Sequence, residues 1–275
     1  MVLRLLHFSD PHVQLPRWRQ RSLRELGPLR ALASVELWKG RGRDYDDAAE
    51  KLKLIARDAD TLRADHCILT GDLTQLAHEE EFALAREALA PILPRLVCIP
   101  GNHDRYPLGA APNKLYERYF PESTSMAPRA LSDQLAVIPV DTVGELAWPV
   151  VSHGRVARWQ LQQLGRTLTD PSYAARCKLV LAHHAPTRRG GRRDWPFHDL
   201  RGATRLLKTC AENGADAILC GHVHDRFDDP ARTDRPRVIC AGSSTERRKE
   251  GYWLIEIDQG RVASVSQRKL GGDPA

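Results

Sequence analysis

The chain has 275 residues, 42% of them hydrophobic, and a formal net charge of +6. That is enough for one large domain with a sizeable core, and no run approaches the roughly 18 apolar residues of a membrane span. The charge admits an anionic substrate, an acidic lipid surface or nucleic acid, but no dedicated nucleic-acid-binding module or aromatic ladder stands out. Six cysteines lie in or beside apolar runs with no CxxC pair. That pattern predicts buried free thiols in a reducing compartment, hence a cytoplasmic protein. Met1–Phe8 is too short, and too soon interrupted by His7-Phe8-Ser9-Asp10, for a signal peptide, and reads as a first strand.

Strand one ends in Ser9-Asp10-Pro11-His12. A basic stretch, residues 14–47, follows, with leucines near helical spacing, many arginines, and Trp18 and Trp38 at its flanks. It reads as an amphipathic insertion broken at Gly27-Pro28. Asp47–Ala64 has apolar residues at three- and four-residue steps and predicts a helix. His66–Thr70 is a strand ending at Gly71-Asp72, and Glu79–Leu93 is a helix stopped at Pro94. Leu96–Ile99 is a strand ending at Gly101-Asn102-His103-Asp104.

Asn113–Tyr119 predicts a short helix and Gln134–Asp141 a strand that ends without a histidine. Ala157–Leu168 is helical. Lys178–Ala182 is a strand ending in His183-His184, followed by the Arg- and Gly-rich loop Thr187–Asp194. Gly202–Asn213 is a helix with Gly214 as its stop. Ala217–Cys220 ends at Gly221-His222-Val223-His224, and Arg237–Ala241 is a further strand. Tyr252–Ile257 and Arg261–Arg268 flank Asp258-Gln259-Gly260, a hairpin signal. No repeat, low-complexity tract or linker divides the chain, so residues 1–275 read as one domain with two sheets and outer helices.

Five strand ends therefore carry Asp10/His12, Asp72, Asn102/His103/Asp104, His183 and His222/His224. In open α/β sheets, ligands bind at such ends. Two carboxylates, an amide oxygen and several imidazoles suit divalent Mn, Fe, Zn, Co or Ni, and the lack of a thiolate argues against structural zinc. The donors are too many for one ion. A carboxylate shared by two ions is the arrangement that cleaves phosphoesters.

These motifs, in this order from about Leu5 to Ser243, resemble those of the calcineurin-like metallophosphoesterases. The resemblance implies an α/β fold, a four-layer α/β/β/α sandwich of two mixed sheets. By motif, one ion falls to Asp10, His12, Asp72 and His224, the other to Asp72, Asn102, His183 and His222, with Asp72 bridging. It implies hydrolysis by a water activated between the two cations, with His103 placed to donate to the phosphoryl group or the leaving oxygen. Asp104 either orients His103 or is an exposed turn carboxylate.

The Gly-Asn-His-Asp and Gly-His-Val-His forms, with His153-Gly154-Arg155-Val156 before a helix, are similar to the bacterial cyclic-nucleotide phosphodiesterase branch. The 14–47 insertion departs from that branch. It is more like the insert of enzymes that hydrolyse UDP-2,3-diacylglucosamine, and would suit peripheral contact with a membrane surface; the alternative is a packed surface excursion. Arg188, Arg189, Arg192 and Arg193 either clamp a second phosphate or are solvated. The substrates implied are a cyclic nucleotide or a nucleotide-lipid. A non-catalytic metal-binding scaffold is the reading from another class, and the complete ligand set argues against it.

Overall fold

The structure is a computed structural model that describes residues 2–15, 41–107, 113–123, 126–144 and 152–271. Most of the expected amphipathic insertion, with Trp18 and Trp38, lies outside the described residues. In chain order the elements are β1 (Leu3–Phe8), α1 (Ala48–Thr61), β2 (His66–Leu69), α2 (Glu79–Leu89), β3 (Leu96–Cys98), α3 (Leu115–Tyr119), β4 (Arg129–Ala130) and β5 (Leu135–Pro139). There follow β6 (Gly154–Arg155), α4 (Arg158–Leu168), β7 (Cys177–His184), β8 (Leu200–Arg201), α5 (Ala203–Glu212), β9 (Ala217–Gly221), β10 (Phe227–Asp229), β11 (Arg237–Cys240), β12 (Tyr252–Asp258) and β13 (Arg261–Arg268).

The first sheet has the order β13-β12-β1-β2-β3 and the second β10-β11-β9-β7-β5-β4; β6 and β8 make a small pair. Both large sheets are mixed. β1, β2 and β3 run parallel while β12 and β13 are antiparallel. β5, β7, β9 and β11 are parallel, with antiparallel edges at β4 and β10.

Side chains alternate between the two faces of a strand, and this decides the layers. Leu3 and Leu5 of β1, Leu179 and Leu181 of β7, and Ala217 and Leu219 of β9 meet between the sheets. Leu6 and Phe8 turn the other way onto Leu52 and Ile55 of α1 and Phe82 and Leu89 of α2. Val180, Ala182 and Ile218 pack against Leu161 and Leu164 of α4 and Leu206 of α5. The result is the expected four-layer α/β/β/α sandwich. Each fully buried leucine or isoleucine in it contributes about 1.5–3 kcal/mol by leaving water.

Two expectations shift, and one strand was not expected. The helix from Glu79 stops at Leu89, because Pro91 and Pro94 cannot continue it, and Ala90–Arg95 tightens into a 3-10 turn. β7 runs on to His184, so His183 sits inside a strand, where the pairing with β9 shifts register. β10, with two carboxylates in three residues, has no apolar run to announce it, and Arg237 pairs with its Asp228.

Candidate metal centre

The parallel strands of both sheets end at one edge, and the expected donors gather there. Five have left-handed backbone: Asp10 (φ 49°), His12 (48°), Asp72 (52°), His222 (70°) and His224 (51°). A non-glycine residue there costs on the order of 1 kcal/mol or more, so the surroundings must hold it. They do. Asp10 and His12 donate their N–H groups to the carbonyls of Gly71 and Asp72, at 3.0 Å each. The His222 N–H donates to the Asp10 carboxylate at 2.9–3.0 Å. Ser243, Ser244 and Thr245 place hydroxyls on the carbonyls of Asp10, Ser9 and Pro11. Gly101 is required for space: a Cβ there would lie 2.1 Å from Oδ1 of Asp72.

The donor atoms converge. His224 Nε2 lies 3.1 Å from His12 Nε2 and 3.4 Å from Asp10 Oδ1, and His12 Nε2 lies 3.8 Å from Asp72 Oδ2. His183 Nε2 lies 3.1 Å from Asn102 Oδ1 and 3.4 Å from the same Asp72 Oδ2. Asp10, His12 and His224 form one group of potential metal donors, and Asp10, Asp72 and His183 form an overlapping one. Separations of 3–4 Å between donors are those expected around ions with bonds near 2.0–2.2 Å. Imidazole, carboxylate and amide fit borderline divalent metals, and the clustered donors form a dinuclear divalent-metal site.

Hydrogen bonds fix which imidazole nitrogen is available. His183 Nδ1 is 2.8 Å from the Thr70 carbonyl, so it carries the proton and leaves Nε2 toward the cluster. His222 Nε2 is 3.0 Å from the His198 carbonyl, so its Nδ1 is left for a metal. Burial, then the neighbouring imidazoles of His184, His183 and His198, holds His222 well below the usual imidazole range, which keeps it neutral. Burial would raise the Asp72 carboxyl, but His183, His103 and His12 overcome it and hold it well below the usual range. In return, His183 is raised to about 9 despite its burial, by Asp72 and then Asp10.

His103 donates its backbone N–H to Asp72 Oδ1 at 2.8 Å. Its ring Nδ1 is 2.8 Å from the Gln75 carbonyl, and Tyr106 Oη is 3.3 Å from Nε2. The ring stands edge-on to His12 with centroids 4.7 Å apart. Gln75 and Tyr106, not Asp104, orient this ring. Asp104 is neither an exposed turn residue nor a His103 partner. It is fully buried and accepts from the N–H groups of Leu73, Thr74 and Gly101 and from the Thr74 hydroxyl. Burial and the Asp72 charge push it up to about 6, against the pull of those N–H groups.

The four arginines of the loop, read as either a phosphate clamp or a solvated run, make contacts within their own neighbourhood, and Arg189 and Arg193 are largely exposed. Arg188 pairs with Asp194, and Arg189 with Asp225 and the Arg226 carbonyl. Arg192 donates to the Arg189 carbonyl, and Arg193 reaches Asp199 at 3.3 Å.

Sequence reasoning missed several neighbours of the donors. Glu246 Oε2 is 2.8 Å from His224 Nδ1, and Tyr45 Oη is 3.2 Å from the same oxygen. Burial would raise the Glu246 carboxyl, but His224 and Lys249 hold it down to about 2. Asp194 holds His198, whose ring stacks on His222 with centroids 4.0 Å apart. The Arg-rich loop drew attention to this region, but Asp194 and His198 end no apolar strand. All six cysteines are free and buried, as their placement predicts. Among the described residues no helix is long and apolar enough to cross a membrane.

Comparison with known proteins agrees with this geometry. The chain is 28% identical over 231 residues to the 3′,5′-cyclic adenosine monophosphate phosphodiesterase CpdA of Escherichia coli K12, covering 82% of this chain and 71% of that protein. It is 28% identical over 274 residues to the protein of the same name from Haemophilus influenzae, covering 93% and 86%. The fold is similar to TT1561 of Thermus thermophilus (TM-score 0.56, 15% identity, 98% and 100% coverage). It is also similar to a purple acid phosphatase of yellow lupin (0.59, 13%, 97% and 53%). The model of the calcineurin-like phosphoesterase family matches residues 3–226. That match runs from β1 to just past His224 and takes in every donor of the centre; the chain belongs to the calcineurin-like phosphoesterases, as a metal-dependent phosphoesterase.

Proposed function

We propose that the protein hydrolyses phosphodiesters of nucleotides, with a 3′,5′-cyclic nucleotide as the favoured substrate. The observation that carries the reading is Asp72 Oδ2 standing 3.8 Å from His12 Nε2 and 3.4 Å from His183 Nε2, one oxygen common to two donor sets. Asp10, His12, Asp72 and His224 would hold one ion. Asp72, Asn102, His183 and His222 would hold the other. Two such ions supply Lewis acidity toward a phosphoryl oxygen and lower the pKa of water, the chemistry of in-line phosphoester hydrolysis.

The protein's own part is position and proton transfer. Asp72 Oδ1 is anchored by the His103 N–H, so Oδ2 stays between the two sets. His103 Nδ1 is tied to Gln75, so Nε2 is the atom that exchanges a proton with the leaving oxygen. Trp195 and Phe197, exposed on the loop that carries His198 beside His222, offer aromatic faces to a nucleobase. The relatives named above as cyclic-AMP phosphodiesterases support the substrate class.

The test is a panel with the manganese-loaded protein: cyclic AMP, bis-p-nitrophenyl phosphate, UDP-2,3-diacylglucosamine, a phosphomonoester and single-stranded DNA. Cyclic AMP should be the best natural substrate, and His103→Ala should lower kcat by about 10²–10⁴-fold. Preference for UDP-2,3-diacylglucosamine would instead favour the nucleotide-lipid reading, with residues 14–47 as its membrane contact. Unchanged kcat in His103→Ala would overturn the proton-transfer role, and no turnover with any divalent metal would leave a scaffold.

A further inference from the structure

The two halves of the metal centre are backed by different chemistry. The second ring nitrogens of His183 and His222 end on neutral groups, the carbonyls of Thr70 and His198. The second ring nitrogen of His224 ends on a carboxylate, Glu246 Oε2, at 2.8 Å. A full negative charge behind an imidazole makes its other nitrogen a stronger donor and fixes the ring plane.

Glu246 is itself held on every side. Oε1 accepts from Lys249 Nζ at 2.6 Å. Oε2 accepts from Tyr45 Oη at 3.2 Å as well as from His224. Its backbone N–H donates to Ser243 Oγ, whose hydroxyl in turn donates to the Asp10 carbonyl at 2.7 Å. Tyr45 is buried and stands edge-on to His12, with ring centroids 5.0 Å apart. It comes from the 3-10 turn Arg41–Tyr45. That turn is pinned by the Gln14 amide on the Gly42 carbonyl (2.8 Å) and by the Arg247 N–H on the Asp44 carbonyl (3.0 Å). All these contacts fall on the Asp10–His12–His224 side. Among the described contacts, none of them reaches Asn102, His183 or His222.

We propose that Glu246 and Tyr45 are positioning residues that strengthen metal binding at the Asp10–His12–Asp72–His224 site alone, and so make the two sites unequal. The inference rests on the ligand assignment proposed above and not on the substrate. The favoured site has Asp10 and the shared Asp72, with the charge of Glu246 directly on the His224 ring; on the other side Asp194 bonds the His198 ring, and the second ring nitrogens of His183 and His222 end on carbonyls. The favoured site fills first.

The experiment is manganese binding to the full-length, metal-stripped protein, followed by titration calorimetry and by the paramagnetic resonance signal of free manganese. The wild type should show two classes of site. Glu246→Gln keeps an acceptor oxygen for His224 but removes the charge. It should weaken the tighter class by about 10- to 100-fold and leave the weaker class in place. Tyr45→Phe should shift the same class by less. Asn102→Ala should weaken only the other class, which checks the ligand assignment separately. A single class in the wild type, an unchanged Glu246→Gln isotherm, or an equal shift of both classes overturns the inference. If Asn102→Ala moves neither class, the ligand assignment fails instead. Circular dichroism of Glu246→Gln confirms that the variant is folded.

Discussion

Asp72 gives its two oxygens different tasks. Oδ1 takes the His103 N–H, and Oδ2 faces His12 and His183. In the metal-free protein the nearest compensating charge is a proton on His183, whose pKa is raised to about 9. A raised histidine pKa stabilises the fold fully below about 6.5. That stability is lost as pH rises through 9. A metal at the His183 site needs the neutral ring, so it must displace this proton. At pH 7 binding there should release about one proton, and affinity should rise about tenfold per pH unit until it levels near pH 9. Calorimetry in buffers of different ionisation enthalpy checks this. A binding heat that is independent of buffer would show that the ring is already neutral.

At the scale of elements, the loops that follow the strands are held to one another. Asp104 binds three backbone N–H groups, from Leu73, Thr74 and Gly101, across two loops. Removing a buried acceptor leaves each donor unsatisfied, at about 1–3 kcal/mol apiece. Asp104→Ala should therefore destabilise the metal-free protein by at least about 3 kcal/mol, and Asp104→Asn by less. Urea unfolding measures it, and a change within 0.5 kcal/mol, the usual scatter for a surface site, would contradict it.

The same loops explain what the sequence could and could not reveal. Asp10, His12, Asp72, Asn102 and His222 were legible because each follows an apolar strand whose end had to reach a common edge. Two sheets with outer helices were legible from the order of apolar strands and helices, and the resemblance supplied the four layers; the structure shows Leu179, Val180, Leu181 and Ala182 alternating between two cores. Glu246 and Tyr45 were not legible: they lie 22 and 179 residues from His224, and neither stands directly at a strand end. Asp104 was misjudged because a turn position suggests exposure, whereas here the turn folds under the Gly71–Thr74 loop. The Arg188–Arg193 run left a phosphate clamp and a solvated face both open because its partners, Asp194, Asp199 and Asp225, gain their meaning only from the folded loop.

Across the whole molecule, the metal centre joins the two sheets. Asp10, Asp72 and Asn102 come from the first, and His183, His222 and His224 from the second. Ions that bind only the folded state stabilise it by mass action, about 4 kcal/mol each at a thousandfold excess over Kd. Saturating manganese should raise the melting temperature by several degrees, and chelation should reverse the rise. A melting temperature indifferent to both would mean that the two sheets hold together without the ions.

The hydroxyls of Ser243, Ser244 and Thr245 have a consequence for how the protein is made. Their acceptors, the carbonyls of residues 9–11, are synthesised 233–235 residues earlier. β12, the antiparallel neighbour of β1, comes later still. At roughly 5–20 residues per second, the strand bearing Asp10 leaves the ribosome on the order of 10–50 s before the segment that fastens it. The loop that carries Asp10 thus waits for a segment 233–235 residues further along the chain before its backbone is fastened.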